Sequence, residues 1–76
     1  MSVKLRIRDV VNILAEAGIY TSQYSIDHDS YFITLTFKSV DDLCKAAAAL
    51  SKVYPRHGIG VTPARNEVTI TRIPEK

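Results

Sequence analysis

One run of alternating side chains constrains the fold of this chain more than any other feature. In residues 31–38, apolar and mostly polar positions alternate strictly: Tyr31, Ile33, Leu35 and Phe37 against Phe32, Thr34, Thr36 and Lys38. A period of two is that of a β-strand with one face turned to a core. Such a strand needs neighbouring strands for its backbone groups and a covering layer for its apolar face. The sequence therefore predicts a sheet covered by helices.

A second strand precedes this run. From Tyr20 the period is also two, with Tyr24 and Ile26 on one face and Gln23, Ser25 and Asp27 on the other. Residues 27–30 are Asp-His-Asp-Ser, and such side chains fold back on nearby backbone amides in turns. The two strands are predicted to form a β-hairpin.

Two amphipathic helices are predicted to supply the covering layer. The first would span residues 3–17, on the spacing of Val3, Ile7, Val10, Leu14 and Ala17, and would stop at Gly18. A start at Val10 with Asp9 as cap is the alternative. The second would begin after the cap Ser39 and end before Pro55. Its predicted buried stripe consists of Val40, Leu43, Ala47, Leu50 and Tyr54, with Ala46 and Val53 beside it.

A second hairpin completes the pattern. Ile59 and Val61 indicate a short strand, residues 62–66 a turn containing Pro63, and Val68 and Ile70 a last strand. We therefore predict one α+β domain over residues 1–76. Its architecture is two-layer αββαββ, with two helices on one face of a four-stranded antiparallel sheet. The halves resemble each other, since Ile33-Thr34-Leu35 recurs as Val68-Thr69-Ile70.

The sheet face away from the helices is predicted to be open. It would carry Gln23, Ser25, Phe32, Thr34, Thr36, Thr69 and Thr71. Threonine is an ordinary solvent-facing strand residue, so this face can be read as plain surface. It can also be read as a platform for binding or dimerisation, with Phe32 and Thr34 as binding residues.

Composition excludes several classes of protein. The chain has 76 residues with ten basic and eight acidic side chains, a net charge of +2, which is low for a nucleic-acid arm. No apolar run approaches the roughly 20 residues of a membrane span, and the start lacks the apolar core of a signal peptide. We expect no membrane association and a cytoplasmic location. The lone Cys44 excludes an internal disulfide, and it is expected to be buried and structural.

No pattern in the sequence indicates catalysis, a metal or a cofactor. Cys44 has no evident base beside it, and Asp27, His28 and Asp29 are adjacent turn residues whose side chains diverge. Gly58 and Gly60 are not part of a phosphate-binding loop. We expect a protein that is not an enzyme and that uses neither cofactor nor metal.

Basic side chains gather in the second half of the chain. After Cys44 there are six basic and two acidic residues, a local charge of +4. We predict binding residues at Arg56 and His57, in the loop after the second helix, and at Arg65 and Arg72. Arg56 and Arg65 are expected at opposite ends of the intervening strand, about 17 Å apart at roughly 3.3 Å per residue. They could bracket an extended acidic ligand.

The chain also resembles a known family. The run over residues 31–38, the helix that follows it, and Asn66-Glu67-Val68-Thr69-Ile70-Thr71 are similar to pterin-4a-carbinolamine dehydratases. The resemblance implies a curved sheet that pairs edge to edge across a dimer. It does not extend to that family's histidines: only His57 falls near the paired histidines, and Thr71-Arg72-Ile73 stands in place of Thr-His-Asp. Dehydratase activity is therefore not expected.

These observations favour a small interaction module. The first hypothesis is a dimerising, protein-binding regulator or inhibitor of the kind that phages and mobile elements encode. The alternative is a nucleic-acid-binding protein that uses its basic half. A pterin dehydratase relative is the third, supported by His57 alone.

Overall fold

The computed structural model describes residues 4–74. Two helices and four strands follow one another in the order predicted: α1 (Ile7–Glu16), β1 (Tyr24–His28), β2 (Phe32–Phe37), α2 (Val40–Val53), β3 (Ile59–Thr62) and β4 (Glu67–Thr71). Single 3₁₀ turns precede β1, at Thr21–Gln23, and join β3 to β4, at Pro63–Arg65. Among these residues no helix is long and apolar enough to cross a membrane.

The four strands form one antiparallel sheet in the order β1-β2-β4-β3. The central strands β2 and β4 place Ile33, Leu35, Val68 and Ile70 in the core, all fully buried. Helices α1 and α2 contact each other, and α2 packs against β2, β3 and β4. The predicted α+β class and two-layer αββαββ arrangement are confirmed.

A pseudo-twofold axis relates the two halves. In the β2–β4 ladder Thr34 pairs with Thr69, and Ile33 pairs with Ile70. Thr34 and Thr69 are also corresponding residues of the two similar segments, so the axis passes between them. The helices begin at a similar spacing along the sequence, α1 at Ile7 and α2 at Val40, although α2 packs more closely on the strands than α1 does. β1 and β3 are equivalent under the axis, and each forms an edge of the sheet.

The first helix is shorter than predicted. It begins at Ile7, between the two expected starts, and Val3 lies outside the described residues. Leu5 is extended and buried, and its N–H donates to the Arg72 carbonyl at 2.7 Å. This bond to the end of β4 holds Leu5 in an extended conformation, so the helix begins after it. Gly18 ends the helix as predicted, with φ at 83°.

The second helix begins where predicted, but it is rotated about its own axis relative to the predicted orientation, so that a different set of residues faces the sheet. The Ser39 hydroxyl accepts from the Asp42 N–H at 3.2 Å, a regular N-cap. Its buried residues are Leu43, Ala46 and Leu50. The prediction that Val40 belongs to the buried stripe, with Val53 beside it, is wrong, because these side chains are 57% and 46% exposed.

The rotation of α2 also decides the position of Cys44. This side chain is exposed, so the prediction of a buried cysteine is wrong. Successive residues of a helix are rotated by about 100°, so Cys44 does not lie on the buried face that contains Leu43.

The prediction that Gln23 lies on the open face of the sheet is also wrong, because Gln23 lies in the first 3₁₀ turn. Its side chain accepts from the Tyr20 N–H and donates to an Asp42 carboxylate oxygen.

Candidate functional site

The loop after α2 is fixed to the end of β4 by hydrogen bonds to one residue, Thr71. The Gly58 N–H donates to the Thr71 hydroxyl at 2.7 Å, and the Thr71 N–H donates to the Gly58 carbonyl at 2.9 Å. The Nδ1 of His57 lies 2.7 Å from the Thr71 carbonyl oxygen. These bonds make Gly58 an extension of the β3–β4 ladder and fix the His57 side chain beside it.

The hydrogen bond of His57 determines which ring nitrogen carries its proton. A carbonyl oxygen only accepts, so Nδ1 is the donor to Thr71. In the neutral ring Nε2 then keeps its lone pair and is an acceptor. The ring of Tyr54 meets the His57 ring edge to face, with centroids 5.5 Å apart and an interplanar angle of 77°. Burial, and secondarily the charge of Asp9, raises the pKa of Tyr54.

Two shallow cavities flank this aromatic pair. The first measures about 250 Å³ and is lined by Ser51, Tyr54, Pro55, His57 and Ile59. The second measures about 200 Å³, shares Tyr54, Pro55 and His57, and adds Val53, Arg56 and Pro74. Drug-sized ligands occupy roughly 300–1,000 Å³, so each cavity has the size for a single side chain.

Strand β3 extends from this loop along one edge of the sheet. Its residues, Ile59, Gly60, Val61 and Thr62, carry no charge, and β4 is its neighbour on one side only. Ile59 and Val61 pair with the core residues Ile70 and Val68, so their side chains lie on the helix side of the sheet. Val61 is 45% exposed there.

Arg56 and Arg65 lie beyond the two ends of β3. Arg56 precedes the strand by three residues and Arg65 follows it by three, in the second 3₁₀ turn. Both side chains are exposed. The predicted separation of these arginines by the length of a strand agrees with this topology.

The other predicted residues divide between two places. Arg72 holds the chain together: its Nε donates to the Leu5 carbonyl at 3.0 Å and its Nη1 to the Asp29 carbonyl at 2.7 Å. Phe32 is 44% exposed on the open face and pairs with Thr71. Thr34 is half-buried beside Thr69 on the same face. The structure thus brings Arg56, His57 and Arg72 to the Thr71 end of β4, and Arg65 to the other end.

The turn between β1 and β2 is held by a carboxylate. Asp29 Oδ1 accepts from the N–H groups of Tyr31 and Phe32, at 2.7 and 2.8 Å. These backbone bonds lower the pKa of Asp29. Within residues 4–74, no group of three or more His, Cys, Asp or Glu side chains is placed to hold a metal ion.

The sequence analysis did not predict the two cavities or the hydrogen bonds from the Arg72 side chain to Leu5 and Asp29. The cavities arise where the end of α2 meets the start of β3, which no local pattern encodes. One feature of the sequence could have indicated the structural role of Arg72: it continues the alternation of Val68 and Ile70, which places its side chain on the core side of the sheet. Comparison with known proteins adds no assignment: no family model, curated protein or solved structure matches the chain.

Proposed function

We propose that this chain is a non-catalytic protein-binding module, acting as a regulator or inhibitor. It would hold an extended acidic segment of a partner protein against the outer edge of β3. The observation that carries the proposal is an uncharged edge strand with an exposed arginine beyond each end.

The edge of β3 offers backbone groups to a further strand. Thr71 bonds to Gly58, and hydrogen-bonded pairs alternate along an antiparallel ladder, so Gly60 and Thr62 also bond inward to β4. The N–H and C=O groups of Ile59 and Val61 then face outward. Proteins commonly protect such an edge with charges, prolines or bulges. Residues 59–62 contain none of these, and strand addition is a common mode of peptide recognition.

The flanking charges favour an acidic segment. Arg56 and Arg65 both carry positive charge, and neither makes an ion pair within residues 4–74. Acidic residues near both ends of an added strand would lie close to one or other guanidinium. Exposed ion pairs contribute roughly 0.2–1 kcal/mol each, so the arginines would select the segment while the backbone bonds hold it.

The same charges oppose a second copy of the chain on this edge. Residues opposite each other on paired strands share a face, so a twofold axis at Gly60 would place Ile59 opposite Val61 of the other copy. Arg56 would then lie opposite Ala64 of the other copy, next to its Arg65, at both ends of the paired strands. Like charges this close repel each other. A different, acidic chain is the better partner for β3.

The experiment is a titration with a nine-residue peptide that has acidic residues at both ends and a Thr-Val core. Val61→Pro removes an outward N–H without breaking a bond to β4, a position where edge strands accept proline. We expect Val61→Pro to abolish binding and its control, Val61→Thr, to retain it. Unchanged thermal unfolding verifies that each variant is folded.

The arginines are tested in the same titration. We expect Arg56→Ala and Arg65→Ala each to weaken binding two- to fivefold, as the loss of an exposed ion pair predicts, without lowering thermal stability. The control is Lys45→Ala, which removes an exposed charge on α2 that lines neither cavity. Peptide binding that is insensitive to Val61→Pro and to both arginine variants would contradict the proposal.

Nucleic-acid binding is the competing outcome. An oligonucleotide titration would then show affinity that falls steeply with salt, with a logarithmic slope of roughly 0.7–0.9 per phosphate contact. Loss of one such contact in Arg56→Ala or Arg65→Ala, together with no affinity for the acidic peptide, would replace the protein-binding proposal.

A further inference from the structure

We propose that the cavity between α2 and β3 is a specificity pocket for one tyrosine side chain of the segment that binds β3. The proposal rests on the proposed function, because it needs a strand along this edge. It adds which residue of that segment is recognised and by which atoms.

The position of the cavity follows from the pleat of the sheet. Side chains directly opposite each other on neighbouring strands lie on the same face. A residue added beside Ile59 therefore directs its side chain to the helix side, where Ile59 itself lies. The cavity of about 250 Å³ is on that side, with Ile59 as one wall and Ser51 of α2 as another. The next residue of the segment would point to the open face instead.

The aromatic pair that lines the cavity favours an aromatic ring. Tyr54, Pro55 and Ile59 contribute apolar atoms to a lining that is mostly polar, and the Tyr54 and His57 rings already meet edge to face. Aromatic rings prefer edge-to-face or offset arrangements at centroid distances of roughly 4.5–7 Å, so a third ring can extend this pair. Aromatic anchors in pockets carry much of the affinity at protein interfaces.

The polar atoms of the cavity favour a ring with a hydroxyl. His57 commits its Nδ1 proton to Thr71, which leaves Nε2 as an acceptor in the neutral ring. No hydrogen bond to Nε2 comes from the part of the chain that the structure describes. Ser51, which also lines the cavity, adds a hydroxyl that both donates and accepts. A phenol O–H has the donor that Nε2 needs, whereas phenylalanine has none.

The test uses the acidic peptide with alanine, phenylalanine or tyrosine at the position that pairs with Ile59. We expect tyrosine to bind about tenfold more tightly than alanine and about fivefold more tightly than phenylalanine, the latter corresponding to one hydrogen bond. Tyrosine is placed at each core position in turn, so that the position with the highest affinity identifies the residue that pairs with Ile59. Moving it by one residue from the best position should remove the gain, since the side chain then changes face.

A variant of the protein tests the location. Ser51 is exposed on α2, so Ser51→Phe fills the cavity mouth without disturbing the core. We expect it to reduce the affinity for the tyrosine peptide to that for the alanine peptide. Ala48→Phe is the control, since Ala48 is exposed on the same helix and lines neither cavity.

The outcomes separate the two proposals. If the alanine peptide binds and depends on Val61, but tyrosine gives no gain or its gain survives Ser51→Phe, the pocket is refuted and strand addition stands. If no peptide binds, or binding ignores Val61→Pro, strand addition fails and the tyrosine pocket fails with it.

Discussion

Tyr24 has a buried hydroxyl for which residues 4–74 provide no hydrogen-bond partner. Its ring packs on Phe37, with centroids 5.4 Å apart, at the edge of the core. A buried hydroxyl without a partner costs roughly 1–3 kcal/mol. Burial also raises the pKa of Tyr24, because the phenolate would be less well solvated than the phenol. The packed ring of Tyr24 therefore stabilises the folded state, whereas its unpaired hydroxyl destabilises it.

We expect Tyr24→Phe to stabilise the protein by about 1 kcal/mol at neutral pH, because it removes the unsatisfied group and keeps the ring. The folded pKa lies above the unfolded value of about 10. The folded state therefore retains its proton longer, and stability falls as pH rises above 10. Tyr24→Phe should reduce that alkaline loss.

Urea unfolding at pH 7 and above pH 10 measures both effects. Tyr20→Phe is the control, because Tyr20 is 60% exposed and its hydroxyl is accessible to water. A Tyr24→Phe protein less stable than the parent at neutral pH would mean that the hydroxyl has a partner in solution.

At the scale of elements, two glycines differ in backbone conformation: Gly18 ends α1, and Gly60 lies within β3. Gly18 has φ at +83°, which L-residues adopt at a cost, whereas Gly60 lies in an extended strand. An added Cβ meets nothing within 4 Å at either position. Any difference between their alanine variants therefore reports backbone conformation alone.

We expect Gly18→Ala to lower the free energy of unfolding by about 1 kcal/mol, and Gly60→Ala to leave it unchanged or to raise it slightly. Thermal or urea unfolding of the two variants checks the pair. Equal effects at both positions would show that the left-handed turn after α1 is not rigid in solution.

The elements were predictable where the pattern is local. Residues 31–38 alternate, and Ser39 caps α2, so β2 and the start of α2 were found from sequence. The start of α1 was not, because Leu5 bonds to Arg72 at the far end of the chain. The exposure of Cys44 also depends on how α2 is rotated against the sheet. The four alanines at residues 46–49 lie on all sides of the helix, so they do not indicate which side faces the sheet.

The candidate site was predictable in part. The sequence identified Arg56 and Arg65 as basic residues on either side of a strand, since charge and order along the chain are local information. It could not identify β3 as an edge strand, because the order β1-β2-β4-β3 is a property of the whole sheet. The bond from His57 to Thr71 joins residues that are distant in sequence, so the orientation of the imidazole could not be predicted from the sequence either.

At the scale of the molecule, the two edges of the sheet differ in their capacity for self-association. A chain of this size has a small core, and such domains often gain stability from a partner. A twofold axis at Ile26 would place Tyr24 of β1 opposite His28 of a second copy, and Ser25 opposite Asp27. No like charges lie opposite or next to each other there, in contrast to β3. Ile26 is 36% exposed at the centre of this edge.

We expect the protein to form a homodimer through β1, detectable by sedimentation at tens of micromolar, roughly where weak dimers form. Ile26→Lys should yield monomers, because it places two like charges at the axis. Val61→Lys, the matched change on the other edge, should leave the dimer intact. A species of 8.5 kDa alone at these concentrations, or a dimer broken by Val61→Lys, would contradict this arrangement.

The hydrogen bond between Leu5 and Arg72 brings the two ends of the described chain side by side. A short linker could therefore join them, and the chain could be reopened at the exposed junction between Lys38 and Ser39. The resulting circular permutant would read α2-β3-β4-α1-β1-β2, which is again helix, hairpin, helix, hairpin. Because of the pseudo-twofold axis, the permuted gene would encode the same succession of elements with the halves exchanged. A bond that fastens the start of the chain to its end thus makes the order of the halves interchangeable.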